Sequence, residues 1–111
     1  MISFKDRKIL ITGATGTIGN ALVKKFVSLE GKVLATGTKT EKLETLKKEF
    51  PNISVLKFDI SEHSKIEEFI ENVSSQLVGL DVLVNNAGIN MDNLSLRMKD
   101  EEWKKVIDVN L

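Results

Sequence analysis

Four short runs of near-continuous apolarity divide the chain: KILIT at 8–12, KVLAT at 32–36, ISVLKF at 53–58 and LDVLV at 80–84. They are rich in Ile, Val and Leu and scarcely alternate with polar residues, the pattern of strands buried on both faces of a parallel sheet. Between them the apolar positions recur at helical spacing. Ile18, Leu22, Phe26 and Leu29 make one stripe, Leu43, Leu46 and Phe50 a second, and Ile66, Phe69, Ile70 and Val73 a third. The breaks carry helix-boundary chemistry: Thr38-x-x-Glu41 and Ser64-x-x-Glu67 read as capping boxes, Gly31 follows the first stripe and Pro51 the second. The pattern predicts βαβαβαβ, then a loop from Asn85 to about Met98 and a last helix starting near Lys99 that carries Trp103, Val106 and Ile107.

Strands and helices alternating at this spacing imply right-handed crossovers and an α/β, doubly wound parallel sheet. A chain of 111 residues holds one domain at most. The last helix runs into Asp108-Val109-Asn110-Leu111 without a Gly or Pro terminator, and a parallel sheet stopped after four strands keeps an open edge. Residues 1–111 are therefore expected to form the N-terminal part of a single domain, cut after the fourth strand and the start of the following helix. Sixteen basic residues balance sixteen acidic ones, so no net field draws nucleic acid or an anionic membrane. No apolar run approaches the roughly 20 residues of a membrane span. The opening MISFKDRKIL lacks the apolar core of a secretory signal, which favours a cytoplasmic protein. With no cysteine and one histidine, His63, no metal site is expected.

In an open α/β sheet, ligands sit beyond the carboxyl ends of the strands. After the first of these comes TGATGTIG at 12–19, whose glycines at Gly13, Gly16 and Gly19 are spaced differently from G-x-G-x-x-G. Taken alone it is equally a phosphate-binding turn or a packing turn, but a strand before it and an apolar-periodic helix after it favour the phosphate. After the second strand, ATGTK at 35–39 has no carboxylate before Glu41, so nothing there accepts from a ribose 2'-hydroxyl or repels a 2'-phosphate. Thr38 and Lys39 could donate to such a phosphate, which points to NADPH over NADH; singly, each is as readily a capping threonine and a solvated lysine. After the third strand stands Asp59; a phosphoacceptor role would need an acidic pair where Thr12 and Gly13 stand. After the fourth comes NNAGIN at 85–90, whose small residues admit a ring or ribose to the backbone. Lys47-Lys48 and Lys104-Lys105 read as solvent faces of helices.

Together these motifs resemble the short-chain dehydrogenase/reductase family over essentially the whole chain. TGATGTIG stands where that family has TGxxxGxG, NNAG at 85–88 is similar to its second signature, and Asp59 to its adenine-contacting Asp. The stretch from Asp92-Asn93-Leu94 through Arg97 to Trp103 resembles the members that reduce 3-oxoacyl groups on acyl carrier protein in fatty-acid biosynthesis. The resemblance implies a Rossmann-type fold, NADP(H) as cofactor, acyl carrier protein as partner and a homotetramer when complete. It assigns Gly13, Thr15, Gly16, Thr17, Ile18 and Gly19 to the phosphates, Thr38 to the 2'-phosphate and Asp59 and Ile60 to adenine. Asn86, Ala87 and Gly88 fall beside the ribose and Val109 on the cofactor. Asn110, in VNL, matches the first of the family's catalytic Asn, Ser, Tyr and Lys and implies a relay water. The chain has no tyrosine at all, so the general acid is expected beyond Leu111 and residues 1–111 alone are expected to be inactive. Two other readings stay open: an oxidoreductase acting on a different ketone or alcohol, and a noncatalytic nucleotide-binding module.

Overall fold

The computed structural model of the protein describes residues 4–58, 68–69, 71–73, 80–86 and 107–110. In chain order the elements are β1 (Lys8–Thr12), α1 (Thr17–Ser28), β2 (Lys32–Gly37), α2 (Thr40–Glu49), β3 (Ser54–Lys57), β4 (Val82–Asn85) and β5 (Ile107–Asn110). The strands form one sheet in the order β3-β2-β1-β4-β5. Every neighbouring pair is parallel, with Leu10 beside Leu34 on one side and Leu83 on the other. The chain thus starts at the centre, walks outward to β3, and then jumps back across β1 to β4. That reversal is the doubly wound topology expected from the apolar runs.

The core explains why those runs do not alternate. Ile9, Ile11, Val33, Ala35, Val82 and Val84 cluster with Val23 of α1 and Leu46 of α2, and half-buried Leu22, Phe26 and Phe50 close over them. Side chains one position along a strand point to the other face. Leu10, Leu34 and Leu83 do so, and they are as deeply buried. Phe58, Phe69, Val73 and Leu80 are buried outside the first cluster, and Phe58 stacks on Phe69 with ring centroids 4.0 Å apart. At the amino ends of the strands, Asp81 joins β1 to β4: its Oδ2 accepts from the Lys8 N–H at 2.8 Å, and its own N–H donates to the Lys8 carbonyl at 2.9 Å.

Four local expectations need correction. Ile107–Asn110 is not the tail of a helix but the fifth strand, with Val82, Leu83, Val84 and Asn85 of β4 beside Ile107, Asp108, Val109 and Asn110. The free edge of β4 offers a row of backbone donors and acceptors, and IDVN supplies β-branched residues at alternate positions to pair with it. Among the described residues the sheet consequently has five strands rather than four. Helix α2 starts one residue beyond the expected capping box: its N-cap is Lys39, with no side-chain cap, and Thr38 stands exposed outside it. Ile18 belongs to no packed stripe, being 62% exposed in the first turn of α1 beyond the end of β1. The Ser64 capping box lies outside the described residues.

Gly31 also serves differently from the expected helix terminator. Helix α1 closes with paired bonds from the Glu30 N–H to the Val27 carbonyl at 3.0 Å and from the Gly31 N–H to the Phe26 carbonyl at 3.0 Å. In this arrangement the left-handed residue is the first beyond the cap, and here it is Glu30, at φ 66°. Gly31 is needed for space: a Cβ there would lie 2.5 Å from Ile9 Cδ1 and 3.2 Å from the Phe26 carbonyl oxygen. Adjacent substitutions should therefore have opposite signs. Glu30→Gly is expected to raise the free energy of unfolding by up to about 1 kcal/mol, by relieving a left-handed side chain. Gly31→Ala should lower it by about 1–3 kcal/mol, by overpacking Ile9. Urea denaturation of both variants measures the pair.

Candidate cofactor site

The carboxyl ends of β1, β2 and β4 meet because β1 has β2 on one side and β4 on the other. The loop after β1 emerges at this reversal point, where the outgoing connections diverge and leave a crevice. Three contacts seat it. The Ala14 N–H donates to the Thr36 carbonyl of β2 at 2.9 Å, Asn86 Nδ2 donates to the Gly13 carbonyl at 3.0 Å, and buried Thr12 donates from Oγ1 to the Val84 carbonyl of β4 at 3.4 Å. The loop is thus tied to both strands that flank its own.

Within TGATGTIG the three glycines answer to different demands. Gly13 adopts φ 64°, a left-handed conformation that lets the chain turn sharply out of β1. Gly19 is buried in α1, and a Cβ on it would lie 2.6 Å from Ala14 Cα and 2.9 Å from Ala14 C. No side chain fits between the helix and the loop at that point. Gly16 is different: it is exposed, its φ is −80°, and a Cβ would meet nothing closer than the Gly13 carbonyl oxygen at 3.9 Å. The fold needs glycine at 13 and 19 but not at 16.

Helix α1 starts at Thr17 with Gly16 as its N-cap, no side-chain cap and no acidic residue in its first turn. The first intrahelical bond runs from the Asn20 N–H to the Gly16 carbonyl at 2.8 Å. The amides that precede it are the ones a helix leaves without internal partners, and with the helix dipole they favour an anion. Exposed Gly16, Thr17 and Ile18 lie around that end. A dinucleotide pyrophosphate fits this donor set: uncapped amides, a left-handed glycine before them and no carboxylate in the turn.

The end of β2 forms the next wall. Gly37 closes the strand, Thr38 follows it exposed, and the Gly37 carbonyl accepts from the Phe58 N–H at 2.9 Å, which brings the end of β3 alongside. Of the expected site residues, Gly13, Thr15, Gly16, Thr17, Ile18, Gly19, Thr38 and Asn86 stand at these strand ends. Val109 and Asn110 lie beside Val84 and Asn85 in the backbone register of β5, and so reach the same end of the sheet through a strand and not a helix. Asp59, Ile60, Ala87 and Gly88 lie outside the described residues, as do His63 and Trp103. Sequence reasoning passed over Gly37, whose missing side chain makes room for Thr15. A glycine closing an apolar strand was the available signal, since such a residue marks a close approach of another group. Among the described residues no helix is long and apolar enough to cross a membrane, and no cluster of potential metal ligands occurs.

The model of the short chain dehydrogenase family matches residues 7–111. The chain is 36% identical over 111 residues to the 3-oxoacyl-[acyl-carrier-protein] reductase FabG of Salmonella typhimurium, a match covering 99% of this chain and 46% of that protein. It is 38% identical over 112 residues to nodulation protein G of a Rhizobium species, covering 100% of this chain and 46% of that one. The chain therefore spans about half the length of the curated relatives it matches. Among solved structures, a short-chain dehydrogenase from Streptomyces avermitilis superposes with a TM-score of 0.69 at 30% identity, over 78% of this chain and 32% of that one. The loop seated between β2 and β4, the sheet order and these matches lead to one assignment: the chain belongs to the short-chain dehydrogenase family.

Proposed function

We propose that the complete protein reduces 3-oxoacyl-acyl-carrier-protein to the 3-hydroxyacyl thioester with NADPH, in fatty-acid biosynthesis, as a cytoplasmic homotetramer. The observation that carries the cofactor half of this reading is the uncapped start of α1, held over the crevice by the Asn86–Gly13 bond. The substrate half is supported by the reductase named among the relatives. The absence of a carboxylate between Gly37 and Thr40 supports the preference for a 2'-phosphate.

A bound nicotinamide would supply the hydride. The chain's own residues bind and orient. The first-turn amides of α1, with Gly13, Thr15, Gly16, Thr17, Ile18 and Gly19, take the pyrophosphate side, and Thr38 takes the 2'-phosphate. Asp59 and Ile60 are assigned to adenine, Asn86, Ala87 and Gly88 to the ribose, and Val109 to the cofactor's far side. Asn110 is assigned to a water that relays a proton toward a lysine. The resemblance puts the proton donor on a tyrosine, and these 111 residues contain none. Turnover is accordingly assigned to the complete protein and cofactor binding to this chain.

A second substrate reading, an oxidoreductase acting on another ketone or alcohol, rests on the family match, which names no substrate. Turnover of a 3-oxoacyl-acyl-carrier-protein by the complete protein, compared with simple ketones, separates the two. The missing tyrosine favours a noncatalytic nucleotide-binding role for residues 1–111 by themselves.

Three outcomes follow for binding and turnover. NADPH should bind about tenfold or more tightly than NADH, the worth of one charge-assisted hydrogen bond, as fluorescence titration reads it. Equal affinities would remove the assignment of Thr38. Asn86→Ala should weaken NADPH binding by about fivefold by releasing the Gly13 carbonyl. Asn86→Asp should weaken it further, because a carboxylate would then face that carbonyl. Finally, purified residues 1–111 should show no steady-state NADPH oxidation with a 3-oxoacyl thioester, and sustained turnover would locate a proton donor within this chain.

A further inference from the structure

Gly37 ends β2 where Thr15 of the first loop lies against it. A Cβ on Gly37 would stand 2.8 Å from Thr15 Cγ2 and 3.1 Å from Thr15 Oγ1, while its third neighbour, Leu43 Cδ2, is at an ordinary 3.5 Å. The obstruction is therefore the Thr15 side chain itself, and its methyl more than its hydroxyl. Gly37 takes no left-handed conformation, the positive-φ glycines of the described residues being Gly13 alone. Its requirement is one of space, not of backbone freedom.

The two sides of this contact differ in how they can yield. Gly37 is buried and held in the sheet: β2 pairs it with Lys57 of β3, and its carbonyl accepts from Phe58. Thr15 is half-buried on a loop whose next residues, Gly16 and Thr17, are exposed. A side chain added at 37 would move the loop and leave the strand in place. The loop's other ties hold Gly13 and Ala14, through Asn86 and Thr36, so the displacement falls on Thr15 and the turn into α1.

We propose that Gly37 is a positioning residue for the cofactor site: by lacking a side chain it seats Thr15 against the end of β2, and this sets the approach of a phosphate to the start of α1. The inference rests on the dinucleotide reading above and adds to it a specific partner for Thr15. Position 37 and position 15 are sterically coupled, so a larger residue at one is tolerated only with a smaller one at the other.

The experiment is a double-mutant cycle on the protein with Gly37→Ala, Thr15→Ser and the two combined. Serine keeps the hydroxyl and removes the methyl that the new Cβ would strike. Gly37→Ala should weaken NADPH and NADH alike by about tenfold, an overpacking effect read as affinity. Thr15→Ser sets the reference affinity for the cycle, and the double variant should recover to within about threefold of Thr15→Ser. In the ligand-free protein, the amide resonances of Ala14, Thr15 and Gly16 should shift in Gly37→Ala, and those of Ala14 and Gly16 should return in the double variant. A Gly37→Ala variant with parental affinity and unshifted loop resonances overturns the proposal. So does a double variant no better than Gly37→Ala, since a loss without rescue is a general effect on the fold. If the parent bound neither cofactor, the dinucleotide reading would fall, and Gly37's role in cofactor approach with it; the resonances would still decide whether Gly37 seats Thr15.

Discussion

The whole site depends on there being no side chain at Gly19. Helix α1 lies across the loop that leaves β1 so closely that a Cβ there would penetrate Ala14. Because the helix can come this near, its uncapped first turn stands directly over the carboxyl end of the central strand. Were the helix displaced by the width of a methyl group, its amides would no longer converge with the loop. The left-handed turn at Gly13 serves the same end from the other side, folding the chain back under the helix it is about to start.

The sheet order then determines what else can reach this point. A central β1 with β2 and β4 as its two parallel neighbours places both of their carboxyl ends beside the loop. Each contributes differently: β2 offers the Thr36 carbonyl and the bare Gly37, whereas β4 offers the Val84 carbonyl and, one residue past its end, the Asn86 side-chain amide. The Ala14 amide and the Gly13 carbonyl of the loop are thus satisfied from β2 and from Asn86, apart from the first-turn amides of the helix. A hydrogen-bonded loop and an open helix end are complementary outcomes of one topology.

Much of this was legible in the sequence, because burial on both faces writes itself as uninterrupted apolar strands. KILIT, KVLAT and LDVLV needed only that signal, and TGATGTIG between a strand and a helix needed only its position. The misreadings share a cause: each depended on what lay next to a segment in space. IDVN reads as a helix tail until the free edge of β4 is beside it, and Ile18 reads as core until the first turn of α1 is seen to overhang the end of β1. Gly31 looks like a left-handed terminator, yet Glu30 takes that conformation as the first residue beyond the cap, and a side chain at 31 would crowd Ile9. Periodicity reports which face is apolar and is silent on what faces it.

The unusual glycine spacing can now be placed among these constraints. Gly13 and Gly19 are obligatory, one for its dihedral and the other for its closeness to Ala14, and they hold the positions of the family's outer landmarks. Gly16 satisfies no such demand, since its backbone is ordinary and its surroundings are open. A glycine at position 16 is therefore not required by the fold. Thr17, exposed at the first position of α1, stands where a phosphate would approach the amides, and it brings a hydroxyl and a methyl to a place that glycine leaves bare. Were a phosphate bound there, the hydroxyl could donate to it, exchanging closeness of approach for an added donor. Packing leaves positions 16, 17 and 18 exposed, and these are where the loop can vary at little cost to the fold.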